Sequence, residues 1–148
     1  MSSLIINRRA RRDYDILETY EAGVVLTGGE VKMLRGGRGS LNEAFVRIRD
    51  GEAWVHNLAI PAYPHASHEG YDPGGPRKLL MHGREILAIQ KRMEGRNLTL
   101  VPLKCYTKAR YVKLSLGLGR GRKQYEKREL KKRQDIERET ARALKLRY

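Results

Sequence analysis

The chain has little of what stabilises secreted proteins or anchors membrane proteins. Its 148 residues include one Cys, one Trp and one Phe. A single Cys excludes an intramolecular disulfide framework and favours a reducing compartment. No segment approaches the roughly 18–20 apolar residues of a membrane span, and the apolar run at the N-terminus is too short for a signal peptide. We therefore expect a cytoplasmic protein, with no membrane partner, built around one hydrophobic core.

Acidic residues are also scarce relative to basic ones. The sequence has 31 Lys and Arg but only 17 Asp and Glu, which gives a formal net charge of +14. Such a surplus favours a polyanionic partner, because each neutralised phosphate releases condensed counterions. A membrane surface is the competing explanation, but the basic C-terminal segment lacks the bulky apolar face of an interfacial helix.

The charge divides the chain into two parts. Residues 119–148 hold 12 basic and five acidic residues, so half of the net charge lies in the last fifth of the chain. This segment is rich in helix-forming residues, but its apolar stripe is thin and an isolated helix is marginal in water. We predict a folded body over residues 1–118 and a basic tail over residues 119–148. The tail is expected to be disordered alone and helical where RNA neutralises its charge.

The body has the alternating apolar pattern of β-strands. Two segments have helical periodicity instead, and the proline-rich segment Pro61–Pro76 indicates a long loop. The predicted strands cover residues 20–26, 46–49, 52–56, 97–101 and 111–118, and the predicted helices cover 30–35 and 84–94. We therefore predict a mainly β fold, a compact antiparallel OB-fold-like barrel with two or three flanking helices and a basic C-terminal tail.

No enzyme motif is present. His65 and His68 have ligand-like spacing, but a metal site needs three or four ligands, so two solvated histidines are the better interpretation. Cys105 lies in a strand pattern with no base beside it, which predicts a buried thiol rather than a nucleophile. The glycine-rich segments lack the spacing of a nucleotide-binding loop. We predict a protein that is not an enzyme and has no cofactor and no metal.

Basic clusters with interleaved aromatic residues favour RNA as the partner. They occupy residues 8–12, 77–78 and 120–133, the last of which includes Tyr125. Arg and Lys supply phosphate contacts, while Tyr and Arg planes can stack on bases. These patterns alone do not select a particular RNA.

Several ordered motifs resemble one family across nearly the whole chain, from about Ile6 onward. The sequence is similar to small protein B (SmpB), the family of SsrA-binding proteins that partner transfer-messenger RNA. The motifs are Asn-Arg-Arg-Ala-Arg-Arg-Asp-Tyr at 7–14, Gly-Gly-Glu-Val-Lys at 28–32, Arg-Lys-Leu-Leu-Met-His at 77–82 and Gly-Arg-Lys-Gln-Tyr-Glu-Lys-Arg at 121–128.

The resemblance implies an OB-type barrel that binds the transfer-RNA-like domain of transfer-messenger RNA and delivers it to ribosomes stalled without a codon. It implies that the tail becomes helical on the ribosome and probes the empty messenger channel at the small-subunit decoding centre, after which tagging and ribosome rescue follow. The implied partners are transfer-messenger RNA and the ribosome, and the free protein is expected to be a monomer.

The resemblance also implies functional residues, position by position. Tyr125, Glu126, Lys127 and Arg128 match the part of the tail that acts at the decoding centre. Glu21 should point outward from the barrel, whereas Leu80 could contact RNA or only pack. The residues implied in RNA binding are Asn7, Arg9, Arg11, Glu21, Lys32, Arg35, Lys78, Leu80, His82, Lys113, Arg120, Arg122 and Lys123.

Two alternatives from other classes remain open on the sequence. One is a small basic ribosome-associated or translation-factor protein that binds structured RNA without a rescue role. The other is a structural protein whose charge serves solubility alone. The RNA that copurifies with the protein would separate them.

Overall fold

The computed structural model describes residues 2–65, 69–122 and 124–147. This part of the chain forms seven strands and four helices. The strands are β1 (Ser2–Ile6), β2 (Tyr14–Val24), β3 (Phe45–Arg49), β4 (Glu52–His56), β5 (Arg77–Leu80), β6 (Thr99–Lys108) and β7 (Tyr111–Gly121). The helices are α1 (Ala10–Asp13), α2 (Gly28–Arg35), α3 (Gly83–Met93) and α4 (Gln124–Arg147).

The strands form one antiparallel sheet in the order β1-β6-β7-β2-β5-β4-β3. The prediction of a mainly β, OB-like fold is confirmed. The predicted closure of the barrel is incomplete: β3 lies close to β6, but the described ladders do not join the two ends of the sheet. The body has seven strands, more than the periodicity indicated, and its three helices agree with the two or three predicted.

Two tight hairpins set the register of the sheet. The predicted turn between β3 and β4 has positive φ at both Asp50 (52°) and Gly51 (75°), the conformation whose twist matches paired strands. The turn between β6 and β7 also has positive φ at both central residues, Ala109 (47°) and Arg110 (74°), although neither residue is glycine. These turns place outward-facing residues of neighbouring strands side by side.

The hydrophobic core lies between the curved sheet and helices α2 and α3. From β7, Leu114, Leu116 and Leu118 are almost completely buried, and Leu34 of α2 and Ile89 of α3 pack against the same cluster. The Thr27 side chain accepts a hydrogen bond from the Glu30 backbone, and the Glu30 carboxylate accepts one from the Thr27 backbone, which fixes the start of α2. Cys105 is fully buried, as predicted.

The predicted boundary at Leu118 falls within strand β7. Strand β7 continues to Gly121, which pairs with Tyr14, and the Arg122 backbone N–H donates to the Asp13 carbonyl at 2.8 Å. Beyond it, α4 is about 36 Å long at 1.5 Å per residue. Its described side chains are exposed except that of Leu130, which is partly buried. The prediction that the tail is disordered in the free protein stays a prediction.

Candidate nucleic-acid interface

A groove between β2, β5, β7 and the start of α3 brings together five of the sequence-predicted residues. Its volume is about 660 Å³. We call it the basic groove, although it also contains carboxylates and apolar side chains. The five predicted residues that line it are Glu21, Lys78, Leu80, His82 and Lys113. They come from three segments that are distant in sequence and adjacent in the fold: β2, the segment from β5 to the residue before α3, and β7.

The middle of the groove depends on Gly23. This residue pairs with Leu80 on one side and with Lys113 on the other. A Cβ atom at position 23 would lie 3.2 Å from the Leu80 Cβ and 3.7 Å from the Lys113 Nζ. Gly23 therefore lets an apolar and a cationic side chain approach each other across β2. Leu80 is 56% exposed, so of the two roles left open by the sequence the structure favours a surface role.

Glu21 points outward, as predicted, and is fixed by two neighbours on β6. Its carboxylate accepts a hydrogen bond from the Tyr106 hydroxyl, and the Lys108 Nζ lies 3.4 Å from Oε1. The hydrogen bond from Tyr106, together with the charges of Lys108 and Lys113, lowers the pKa of Glu21. The carboxylate is therefore ionised at neutral pH and is held as a hydrogen-bond acceptor within a cationic surface.

Burial and the hydrogen bond to Glu21 raise the pKa of Tyr106, so its hydroxyl stays protonated and acts as the donor. No motif in the sequence selects Tyr106 or Lys108. Only the register of the β6–β7 pair places them near the groove. Tyr106 pairs with Lys113, and Lys108, two residues further along β6, faces the same side of the sheet. A correct prediction of the β6–β7 hairpin would have placed both beside the groove.

The other two predicted residues of the groove lie at its β5–α3 edge. The Lys78 Nζ lies 3.3 Å from Glu52 Oε1, and both side chains are nearly half exposed. His82 is the residue that precedes α3 and is exposed, and its backbone N–H donates to Glu85 Oε1 at 3.4 Å. An exposed ion pair contributes little stability, so Lys78 can exchange its carboxylate partner for a phosphate at small cost.

Lys32 and Arg35 lie on α2. Arg35 donates to the Arg110 carbonyl at 3.2 Å, which places it at the same end of β7 as Lys113. The Lys32 Nζ lies 5.1 Å from the centroid of the Tyr63 ring. Both side chains are exposed and extend the cationic surface beyond the groove.

Four further predicted residues cluster at the opposite end of β7. Arg9 pairs with Glu43 at 2.8 Å, and Arg11 is exposed on α1. Arg120 is exposed at the end of β7, and Arg122 lies 3.9 Å from the Asp15 carboxylate. Seven residues separate Lys113 from Arg120, or about 23 Å along a strand. These arginines are therefore a separate surface from the basic groove.

Asn7 has a structural role instead of the surface role predicted for it. The side chain is only 7% exposed. Its Nδ2 donates to the Pro102 carbonyl at 2.9 Å, and its Oδ1 accepts from the Arg9 backbone at 3.2 Å. Because both ends of the amide make hydrogen bonds within the protein, Asn7 fixes the turn between β1 and α1, and its contact with RNA stays a prediction.

The predicted residues of the tail are only partly described. Lys123 and His68 lie outside the described residues. Tyr125, Glu126 and Lys127 belong to the backbone of α4, while their side chains lie outside the described part, and Arg128 is exposed on the same helix.

Arg77 belongs to the basic motif of residues 77–82 but points into the protein. It is 6% exposed and pairs with the buried Glu30, with the Arg77 Nη2 at 2.6 Å from Oε2. Its guanidinium also donates to the Pro73 carbonyl at 2.9 Å and to the Tyr71 hydroxyl at 3.2 Å. Arg77 thereby joins α2, β5 and the loop that precedes β5, and it supports the groove without lining it.

The fold and the groove together define a class: a small, basic, OB-like β protein in which exposed cations in and around a rigid groove suit a nucleic acid. Within the described residues no helix is both long enough and apolar enough to cross a membrane. A model of the SmpB protein family matches residues 4–146. The chain therefore belongs to the SmpB family.

Individual relatives agree with this assignment. An SsrA-binding protein of Carboxydothermus hydrogenoformans is 48% identical over 142 residues, which cover 96% of this chain and 95% of that protein. An SsrA-binding protein of Corynebacterium efficiens is 50% identical over 95% of this chain and 86% of its own length. A chain in the solved structure "tmRNA-SmpB: a journey to the center of the bacterial ribosome" is 48% identical, with a TM-score of 0.68 over 83% of this chain and 87% of that one.

Proposed function

We propose that this protein binds the transfer-RNA-like domain of transfer-messenger RNA and takes it to ribosomes stalled without a codon. The observation that carries the proposal is the basic groove, where Glu21 of β2 and Lys113 of β7 meet the segment that carries Lys78, Leu80 and His82. The family membership and the names of the relatives support the choice of RNA. We expect the protein to work in the cytoplasm, by binding and not by catalysis.

The groove offers three kinds of contact to a folded RNA. Lys78 and Lys113 can contact phosphates, and the exposed Leu80 provides an apolar surface for a ribose or a base. The ionised Glu21 can accept a hydrogen bond from the amino group of an unpaired base. Because these groups are held on paired strands, they recognise a fixed shape and contribute more than general attraction to phosphate.

The groove is tested by measuring the affinity of the full-length protein for the isolated transfer-RNA-like domain at several salt concentrations. Lys113→Gln should reduce the slope of log affinity against log salt by about one phosphate contact. Glu21→Leu should weaken binding without reducing the slope, because it removes the acceptor for a base and no phosphate contact.

Lys91→Gln is the matched control for Lys113→Gln, since Lys91 is an exposed lysine of α3 outside the groove. Equal effects of Lys91→Gln and Lys113→Gln would show that binding reflects charge alone and would contradict the proposed site. Sequencing of copurified RNA addresses the runner-up: a broad population of ribosomal RNA would favour a general ribosome-associated protein over a transfer-messenger RNA partner.

We assign to the tail the second step, the probing of the empty messenger channel. The support is its net charge of +7 over residues 119–148 and the helix α4, whose described side chains are almost all exposed. A helix about 36 Å long that packs so little against the body can reach a channel that the body does not enter.

The double variant Lys127→Ala, Arg128→Ala tests the tail. It removes two phosphate-binding groups and retains helix propensity. We expect near-normal binding of transfer-messenger RNA in a gel shift and severe loss of peptide tagging on ribosomes stalled at the end of a messenger. Normal tagging by this variant would show that the residues from Tyr125 to Arg128 do not carry the signal.

A further inference from the structure

The outward face of the β3–β4 hairpin carries a second set of side chains suited to RNA. Alternate residues of these strands face away from the core, and the register pairs Phe45 with His56 and Arg47 with Trp54. We call these four residues the aromatic platform. Lys78 of β5 pairs with Trp54 and also lines the basic groove, so the two surfaces are continuous.

The aromatic rings of the platform are already organised. The Phe45 and His56 rings are stacked, with centroids 5.1 Å apart and planes 7° from parallel. The Arg47 guanidinium lies over Phe45, 5.5 Å from its centroid. Trp54 is partly exposed beside an open cavity of about 570 Å³ that Arg49, His56 and Pro76 also line. Rings fixed on paired strands lose little conformational entropy when a ligand stacks on them.

The charge of this face selects a polyanion among the partners that stack on aromatic rings. Arg47 and Arg49 are exposed, and within the described residues no carboxylate lies at salt-bridge distance from either. Two acids also line the cavity: Glu52 on β4 is paired with Lys78, and Asp50 lies in the hairpin turn beyond salt-bridge distance of both arginines. Two unpaired guanidinium groups beside exposed rings are complementary to the phosphates and bases of single-stranded RNA.

We propose that the aromatic platform binds an unpaired base of single-stranded RNA by stacking, while Arg47 and Arg49 contact the flanking phosphates. Every base has a flat face, so this surface accepts many sequences, whereas the basic groove recognises a folded RNA. The proposal adds a second RNA-binding surface to the body, and it does not depend on which folded RNA the groove binds.

Trp54 makes the test direct, because it is the only tryptophan of the chain. The full-length protein is titrated with a single-stranded RNA of about eight nucleotides, within the usual site size for such surfaces, and Trp54 fluorescence is recorded. An abasic strand of equal length supplies the phosphates without the bases. At about 0.3 M salt, where contacts of the basic tail with phosphates are weak, the RNA should quench Trp54 and the abasic strand should not.

Variants then separate stacking from charge, with affinity measured by anisotropy of the labelled RNA. Trp54→Leu should weaken binding by about fivefold or more, whereas Trp54→Tyr, which retains a ring, should not. Arg47→Gln should also weaken binding, and Arg38→Gln is its control, because Arg38 is an exposed arginine after α2 outside the platform. Circular dichroism checks that each variant is folded.

The titration of the wild-type protein can overturn the proposal by itself, so the test does not depend on the stability of the variants. Equal quenching of Trp54 by the abasic strand, or no quenching by the RNA, would do so. Unchanged affinity in folded Trp54→Leu would overturn it as well. Lys113→Gln should leave Trp54 quenching unchanged while it weakens binding of the transfer-RNA-like domain. Failure of the platform and failure of the basic groove are therefore distinguishable.

Discussion

Replacing Arg77 by Met should unfold this protein far more easily than replacing Lys78 by Met, although the two cations are adjacent in one basic motif. The Arg77 guanidinium is buried against Glu30, the Pro73 carbonyl and the Tyr71 hydroxyl. Met fills most of the same volume but leaves the Glu30 carboxylate buried without a cation. Lys78→Met instead removes an ion pair whose side chains are 43% and 47% exposed.

The expected magnitudes differ several-fold. Removing one partner of a buried ion pair costs about 3–5 kcal/mol, because the remaining charge is uncompensated. An exposed pair contributes at most about 1 kcal/mol. For a domain of this size, 1 kcal/mol shifts the melting temperature by about 2–4 °C. Arg77→Met should therefore lower the melting temperature by about 6–20 °C and Lys78→Met by less than about 4 °C.

Urea and thermal unfolding at pH 7, followed by circular dichroism, measure both variants against the wild-type protein. If Arg77→Met cost no more than Lys78→Met, the buried pair would not hold α2 and β5 together as described. Glu30→Gln provides a second arm, because it removes the charge and retains an acceptor for the Thr27 backbone.

The stability difference between the wild-type protein and Glu30→Gln should depend on pH in a direction that the pKa of Glu30 determines. Burial alone would raise the pKa of Glu30, but the hydrogen bond from the Thr27 backbone and the Arg77 guanidinium outweigh it and lower that pKa. The stabilisation is therefore complete above the ordinary carboxyl pKa of about 4.3 and is lost as the pH falls through the lowered value. The stability difference between wild type and Glu30→Gln should be constant above about pH 5 and shrink below about pH 4.

Two further expectations concern the tail and the single thiol. In the free protein, amide hydrogens after Arg122 should exchange rapidly and those of β7 slowly, because α4 packs little against the body. Strong protection of the amides of residues 130–144 without RNA would contradict the expected disorder. Burial raises the pKa of the Cys105 thiol to about 12, so iodoacetamide at pH 8 should alkylate it only after unfolding. Rapid alkylation of the native protein would show that Cys105 is not buried in the core as described.

The sequence predicted the elements whose local signals agree with the final structure. Strand β7 has apolar residues at alternate positions from Val112 to Leu118, and the β3–β4 hairpin has the Asp50-Gly51 turn that its twist requires. Helix α3 has a clear apolar stripe, and Ile86 and Ile89 of this stripe are buried. In each case pattern and tertiary environment favour the same conformation, which is why local reasoning was sufficient.

The elements that were missed have signals that conflict with their environment. Strand β5 is four residues long and begins with the inward-facing cation Arg77, so its alternation does not look apolar. The β6–β7 turn places Ala109 and Arg110 at positive φ, where Gly or Asn is usual, so no turn motif marks it. Helix α1 has a single turn of four residues, too short for any periodicity.

The candidate site was accessible to sequence reasoning only through the family resemblance. Glu21 and Lys113 are 92 positions apart, and Lys78 lies between them in the chain. No local pattern indicates that they meet, since their proximity follows from the order β7-β2-β5 in the sheet. The same absence of tertiary information explains Asn7, whose polar side chain looks like a surface residue until its buried partners on β6 are known.

The architecture gives the two proposed activities different mechanical properties. The groove residues Glu21, Leu80 and Lys113 lie on three adjacent strands whose backbone ladders fix their spacing before any ligand arrives. Such a site does not need to be ordered on binding, which favours discrimination by shape. The tail has the opposite construction: its charge is high and its described packing is slight, so its conformation depends on what neutralises it. The surface proposed to select the RNA is therefore rigid, whereas the segment proposed to probe the empty channel is adaptable, and one short chain combines the two.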